Sequence, residues 1–174
     1  YAAKQPFIIV DGFTSRYGPD VTSLANELVR VTGFPCSTTP FGKGIIDETL
    51  PNFHGVYAGV AGKQVYMAWA QSCDLVLRLG PLNSDVNTFG FTTIPDPRVT
   101  ITFHRDSVEV GSSGNGGHYQ NLHIKGLLQK ILNRLDPSRI PKMDPYPDLG
   151  NPKQQLGALE AADQMISLAT AKIW

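Results

Sequence analysis

Pro6-Phe7-Ile8-Ile9-Val10-Asp11-Gly12 is the stretch that decides the fold. Its unbroken apolar run reads as a strand buried on both faces, and such strands belong to parallel sheets with helices on either side. The next segment supplies a covering helix. Pro19 and Asp20 open it, Val21, Leu24, Leu28 and Val31 recur at helical spacing, and Gly33 stops it. Residues 34–38 read as a second strand, which completes a strand–helix–strand unit. Further along, residues 64–72 read as a helix and residues 74–79 as a third strand ended by Gly80. Residues 99–104, after an Asp96-Pro97 turn, read as a fourth strand, and residues 107–110 as a short fifth. A last helix is expected over 123–135, with Ile124, Leu127, Leu128, Ile131 and Leu135 on one face. The fold class expected is α/β, doubly wound, with a mainly parallel sheet and helices on both faces.

Between these elements lie segments whose glycines, prolines and charges look placed. Residues 38–59 read as a long loop leaving a strand end: Pro40 removes a donor, and Gly42 and Gly44 permit backbone angles closed to other residues. Gly42-Lys43-Gly44 falls short of a phosphate-cradling loop, because Ile45 stands where Ser or Thr would hold magnesium. Residues 80–91 form a second polar loop just past a strand's carboxyl end, where doubly wound sheets meet ligands or partners. The glycine cluster from Gly111 to Gly117 follows a strand but lacks Gly-x-Gly-x-x-Gly spacing, so it reads as a flexible loop. Ser113 lacks the context of a nucleophile elbow.

Titratable residues form no catalytic pattern. His54, His104, His118 and His123 lack metal-ligand spacing, and surface or capping roles are expected for them. Asp47 and Glu48 are neighbours that point apart. Asp85 and Asn87 are expected to satisfy loop backbone groups. The chain thus reads as a domain that supports chemistry done elsewhere.

Lys and Arg number 15 against 15 Asp and Glu, without a basic run, so neither nucleic acid nor an anionic membrane is an expected partner. No apolar segment approaches the roughly 20 residues that span a bilayer, and the start lacks a signal peptide's apolar core. An initial Tyr1 points to a piece of a longer chain. Cys36 and Cys73 sit in apolar segments and no Asn-x-Ser/Thr acceptor occurs, which fits reduced thiols in a cytoplasmic protein. Pro137, Pro141, Pro145, Pro147 and Pro152 mark a linker, after which residues 154–174 return to helix formers.

Several blocks in one order resemble a known family: Thr39-Pro40-Phe41-Gly42-Lys43-Gly44 with Asp47-Glu48, Gly55-Val56-Tyr57-Ala58-Gly59, Ser72-Cys73-Asp74-Leu75-Val76-Leu77, Gly80-Pro81-Leu82-Asn83-Ser84-Asp85-Val86-Asn87-Thr88, and Phe103-His104. Across residues 6–135 they are similar to the middle domain of thiamine-diphosphate-dependent pyruvate decarboxylases of the fungal type. The resemblance implies a Rossmann-like central domain lying between a pyrimidine-binding and a diphosphate-binding domain. The parent reaction it implies is conversion of pyruvate to acetaldehyde and carbon dioxide in fermentation, by a cytoplasmic oligomer described as a dimer of dimers. Thiamine diphosphate and Mg2+ would be bound by domains outside this chain, with no catalytic, cofactor or metal residue within it.

The resemblance divides the chain into a central domain at 1–135, a Pro-rich linker at 136–165 and the start of the diphosphate-binding domain at 166–174. It makes Arg16, Phe13, Gly80 and Asn87 the effector-facing regulatory candidates. Phe13 stands where some fungal members carry an activating cysteine, so thiol-based activation is not expected there. The rival readings are the middle domain of an indolepyruvate- or phenylpyruvate-type decarboxylase and, from another class, a nucleotide- or flavin-binding module.

Overall fold

A computed structural model of the chain describes residues 1–111 and 116–140. Strand β1 (Pro6–Val10) is buried along its whole length. Ile8 and Val10 enter one core layer, while Phe7 and Ile9 enter another on the opposite face. Two-sided burial is the physical reason for the unbroken apolar run. A single helical turn, α1 (Phe13–Arg16), follows.

Helix α2 (Pro19–Thr32) begins with Pro at its first turn and ends on Gly33 in the left-handed region, φ 62°. β2 (Cys36–Thr38), β3 (Phe53–Val56), α3 (Gln64–Gln71), β4 (Leu75–Leu79), β5 (Thr100–Phe103), β6 (Ser107–Val110), β7 (Gly117–Gln120) and α4 (Ile124–Arg134) complete the described chain. The seven strands form one sheet in the order β3-β2-β1-β4-β5-β6-β7. Pairing is parallel from β3 through β5 and antiparallel for β5–β6 and β6–β7. The doubly wound, mainly parallel expectation therefore holds.

The two faces differ. On one, α2 and α4 cover Ile8, Val10, Leu79, Phe103 and Val108, with Leu28, Val29, Ile124 and Leu128 buried between the layers. On the other, α3 packs on β1 and β4 through an aromatic group of Phe7, Tyr57, Tyr66 and Trp69, and reaches β2 through a hydrogen bond between the hydroxyls of Tyr66 and Ser37. Burying each large side chain of this kind contributes roughly 1.5–3 kcal/mol.

Three expectations need correction. Residues 38–59 are not all loop, because β3 adds an edge strand beside β2. The register slips between Cys36 and Thr38, and Gly55 takes φ 76° at that irregularity, so Phe-His-Gly-Val carries no alternation to read. The second strand starts at Cys36, since Pro35 has no N–H to give, although its carbonyl already accepts from Ile8 N at 2.9 Å. The glycine cluster is followed by β7, not directly by a helix, and Val110 pairs with Gly117 across a hairpin. That removes the strand–turn–helix context of a dinucleotide motif. Residues 112–115, most of the 136–165 linker and the 166–174 helix lie outside the described residues.

Candidate functional site

The order in which strands are added to the sheet reverses between β1 and β4, and the crevice at their carboxyl ends is where a doubly wound sheet receives a ligand. Asp11, the first residue past β1, stands there with no solvent exposure. Its Oδ1 accepts from Gly12 N at 2.6 Å, Thr39 Oγ1 at 2.6 Å and Asn87 Nδ2 at 2.8 Å. Its Oδ2 accepts from Leu82 N at 2.9 Å and faces Arg78 Nη2 at 3.6 Å. A buried carboxylate persists only when paired and hydrogen-bonded, and this one is both.

The loops that supply those donors are locked to one another. Asn87, also fully buried, accepts from Phe41 N at 3.0 Å and donates to Leu82 O at 2.8 Å. Phe13 N donates to Gly80 O at 3.1 Å, and Thr14 Oγ1 to Leu79 O at 3.0 Å. Gly80 has φ 59°, and a Cβ there would lie 2.2 Å from Thr14 N. A Cβ at Gly42 would lie 2.3 Å from Val10 O. Backbone thus fills the space a phosphate would need, and Gly12 and Leu82 give to Asp11 the amide donors that cradle anions in phosphate loops. The carboxylate is an internal substitute for a ligand, and the phosphate-loop reading of residues 42–45 fails on geometry as well as on sequence.

Three of the four regulatory candidates come together here: Gly80 and Asn87 are buried in the knot and Phe13 is half-buried above it. Arg16 lies on the exposed side of α1. Asn87 satisfies loop backbone groups, as its residue type implied. Around the closed crevice stand Phe41, Val86 and Phe91, each more than half exposed. Phe89 and Phe91 hold φ of 49° and 67° on either side of Gly90, a backbone arrangement that costs about 1–3 kcal/mol per residue and marks a constrained loop.

Sequence reasoning passed over Asp11 and Arg78. The signal was present: Leu-Val-Leu-Arg-Leu places a charge within a strand otherwise apolar, and a buried guanidinium requires a carboxylate partner. Burial pulls the Arg78 pKa down while Asp11 pushes it back up. Cys36 and Cys73 behave as expected of packing residues. Burial raises both thiols, Cys73 to about 12, leaving little thiolate at neutral pH. Among the described residues no cluster of His, Cys, Asp or Glu could hold a metal ion, and no helix is long and apolar enough to cross a membrane.

The family model for the central domain of thiamine pyrophosphate enzymes matches residues 1–135. The chain belongs to that family. It is 36% identical over 151 residues to a pyruvate decarboxylase of Aspergillus fumigatus, covering 87% of this chain and 25% of the relative. It is 35% identical over 133 residues to pyruvate decarboxylase isozyme 1 of Saccharomyces cerevisiae, covering 76% of this chain and 23% of the relative. A Candida glabrata pyruvate decarboxylase is 36% identical over 146 residues, with 84% and 25% covered. This central domain therefore spans about a quarter of the length of those relatives.

Proposed function

We propose that the protein carrying this central domain decarboxylates pyruvate to acetaldehyde and carbon dioxide, using thiamine diphosphate and Mg2+ held by its pyrimidine-binding and diphosphate-binding domains. The observation that carries the reading is the closed crevice. Asp11, Asn87, Gly42 and Gly80 fill the one place where this sheet would take a diphosphate, so the residues here do not fit the cofactor. The same closure argues against a nucleotide- or flavin-binding module. The names of the relatives favour pyruvate over indolepyruvate or phenylpyruvate.

Within such a protein this chain acts as a rigid spacer and effector-facing wall, with Arg16 and Phe13 at the surface and Gly80 and Asn87 holding them from beneath. Assembly as a dimer of dimers in the cytoplasm belongs to the same proposal, as does division of the chain into 1–135, 136–165 and 166–174. The end of the family match at residue 135 supports that first boundary.

Turnover measured on the full parent protein with thiamine diphosphate and Mg2+ tests the reading. Acetaldehyde should form from pyruvate with kcat/KM above that for phenylpyruvate or indolepyruvate, and the reverse order would replace the substrate. The 174-residue chain alone should show no turnover above background. Activity there would place the catalytic groups inside it.

A further inference from the structure

At the amino end of β4, away from the crevice, an apolar cleft of about 440 Å3 lies between α2, α4 and the sheet. Leu28, Leu75, Leu77, Leu127 and Ile131 line it, and Ile140, the last described residue, forms part of its wall. The course of the chain up to that wall is fixed. Asp136 Oδ1 accepts from Ser138 N at 3.0 Å and caps a short turn over Pro137–Arg139. Tyr1 Oη accepts from Asp136 N at 2.8 Å, and the Arg139 guanidinium stands 4.4 Å from the centre of the Tyr1 ring. Residue 141 therefore starts at the cleft. Lys130 and Arg134, one helical turn apart on α4, stand at the same cleft, are exposed and form no ion pair among the described residues.

The sequence that continues from Ile140 matches this cleft in shape, spacing and charge. In Pro141-Lys142-Met143-Asp144-Pro145-Tyr146-Pro147 three residues are proline, and Ile140, Asp144 and Tyr146 each precede one, so local sterics favour an extended, polyproline-like backbone before any contact is made. A shape set in advance is what lets proline-rich segments lie in apolar grooves at small entropic cost. At three residues per turn Met143 and Tyr146 share one face about 9 Å apart, and the wall of the cleft from Leu127 to Leu135 on α4 runs about 12 Å. Asp144 flanks that face and carries the charge that Lys130 and Arg134 lack.

We propose that residues 141–147 of this same chain occupy the cleft, with Met143 and Tyr146 on its apolar floor and Asp144 facing Lys130 and Arg134. The segment then acts as a brace that ties α4 to the amino end of β4 and sets the direction in which the chain leaves the domain. The brace is separate from the crevice and independent of the decarboxylation proposed above.

NMR of the full 174-residue chain, labelled with 13C at leucine and isoleucine methyls, tests the brace directly. Nuclear Overhauser contacts are expected between the Tyr146 ring and the methyls of Leu127 and Ile131, and Tyr146→Ala should abolish them. Asp144→Lys sets like charge against Lys130 and Arg134 and should weaken the contacts roughly twofold or more. The Ile8 methyl, buried in the core away from the cleft, reports the fold and tells a released segment from an unfolded chain. A mixture of labelled and unlabelled chains separates contacts within one chain from contacts between two. A folded chain whose Tyr146 ring touches neither methyl overturns the proposal. So does a contact made only between chains, which would give the cleft to a second copy, or one that Asp144→Lys leaves at full strength.

Discussion

The carboxyl end of β1 and the open face over β5–β7 lie on either side of Arg78 and are built on opposite terms. At the first, every oxygen of Asp11 has its donors, backbone fills the space between loops, and three glycines stand where no Cβ would fit without displacing backbone or a side chain. At the second, the same arginine's Nε is unmet, and the row beyond it, Glu109 and His118, faces outward. The difference teaches that this sheet has moved its unsatisfied polar capacity one strand along from the position where a doubly wound sheet ordinarily keeps it. The crevice has become structure, and the open cleft lies on the sheet's uncovered face.

Breaking the closed side should give the largest effect. Asp11→Ala would orphan Gly12 N, Leu82 N and Thr39 Oγ1 together, leave Asn87 Nδ2 with Leu82 O alone, and leave Arg78 buried without its nearest counter-charge. Removing one partner of a buried pair costs about 3–5 kcal/mol. Urea denaturation of the chain should show a loss of that size, with the Asp11→Asn chain between it and the parent. A loss below ~1 kcal/mol would mean that water replaces the carboxylate and that the crevice is not closed.

Glycine substitutions sharpen the contrast at intermediate size. Gly80 and Gly90 both have positive φ, 59° and 67°, so Ala costs about 1 kcal/mol at either from backbone conformation alone. Only Gly80 also meets a close neighbour, Thr14 N at 2.2 Å, whereas nothing lies within 4 Å of a Cβ at Gly90. Gly80→Ala should therefore lower the urea midpoint by the equivalent of a further 1–3 kcal/mol or so. Equal losses at the two sites would show that the loop over Thr14 can move aside.

The architecture was legible because its signals are local. Two-sided burial of β1 gives a run, α2 carries Pro at one end and Gly at the other, and α4 keeps one apolar face. The edge elements were not: β3, half-exposed, and β7, mostly exposed, are four-residue strands containing glycine, held by pairing that only the assembled sheet provides. The site was partly legible. Asn87 and Gly80 stood out by residue type in a loop after a strand, but the partner that gives them meaning, Asp11, is 76 residues from Asn87, and no spacing rule spans that distance. Arg78 could have been found from its charge inside an apolar strand, but which side of it remains unmet is a property of the fold.

The smallest effect is expected on the open side, from Glu109→Gln. The Glu109 side chain is 55% exposed, stands 3.2 Å from His104 outside hydrogen-bond alignment, and acts on buried Arg78 more weakly than Asp11 does. Exposed pairs of this kind contribute about 0–1 kcal/mol, because water screens the charges and the side chain gives up rotamers to hold one position. Cross-strand neighbours Thr102 and His118 keep their backbone pairing whatever the side chain carries. Glu109→Gln should therefore unfold within ~0.5 kcal/mol of the parent chain in urea, while Asp11→Ala, three strands away on the other side of Arg78, loses several. If Glu109→Gln instead lost more than ~1 kcal/mol, its pull on Arg78 would be that of a full counter-charge like Asp11, and the open face would be an extension of the closed knot.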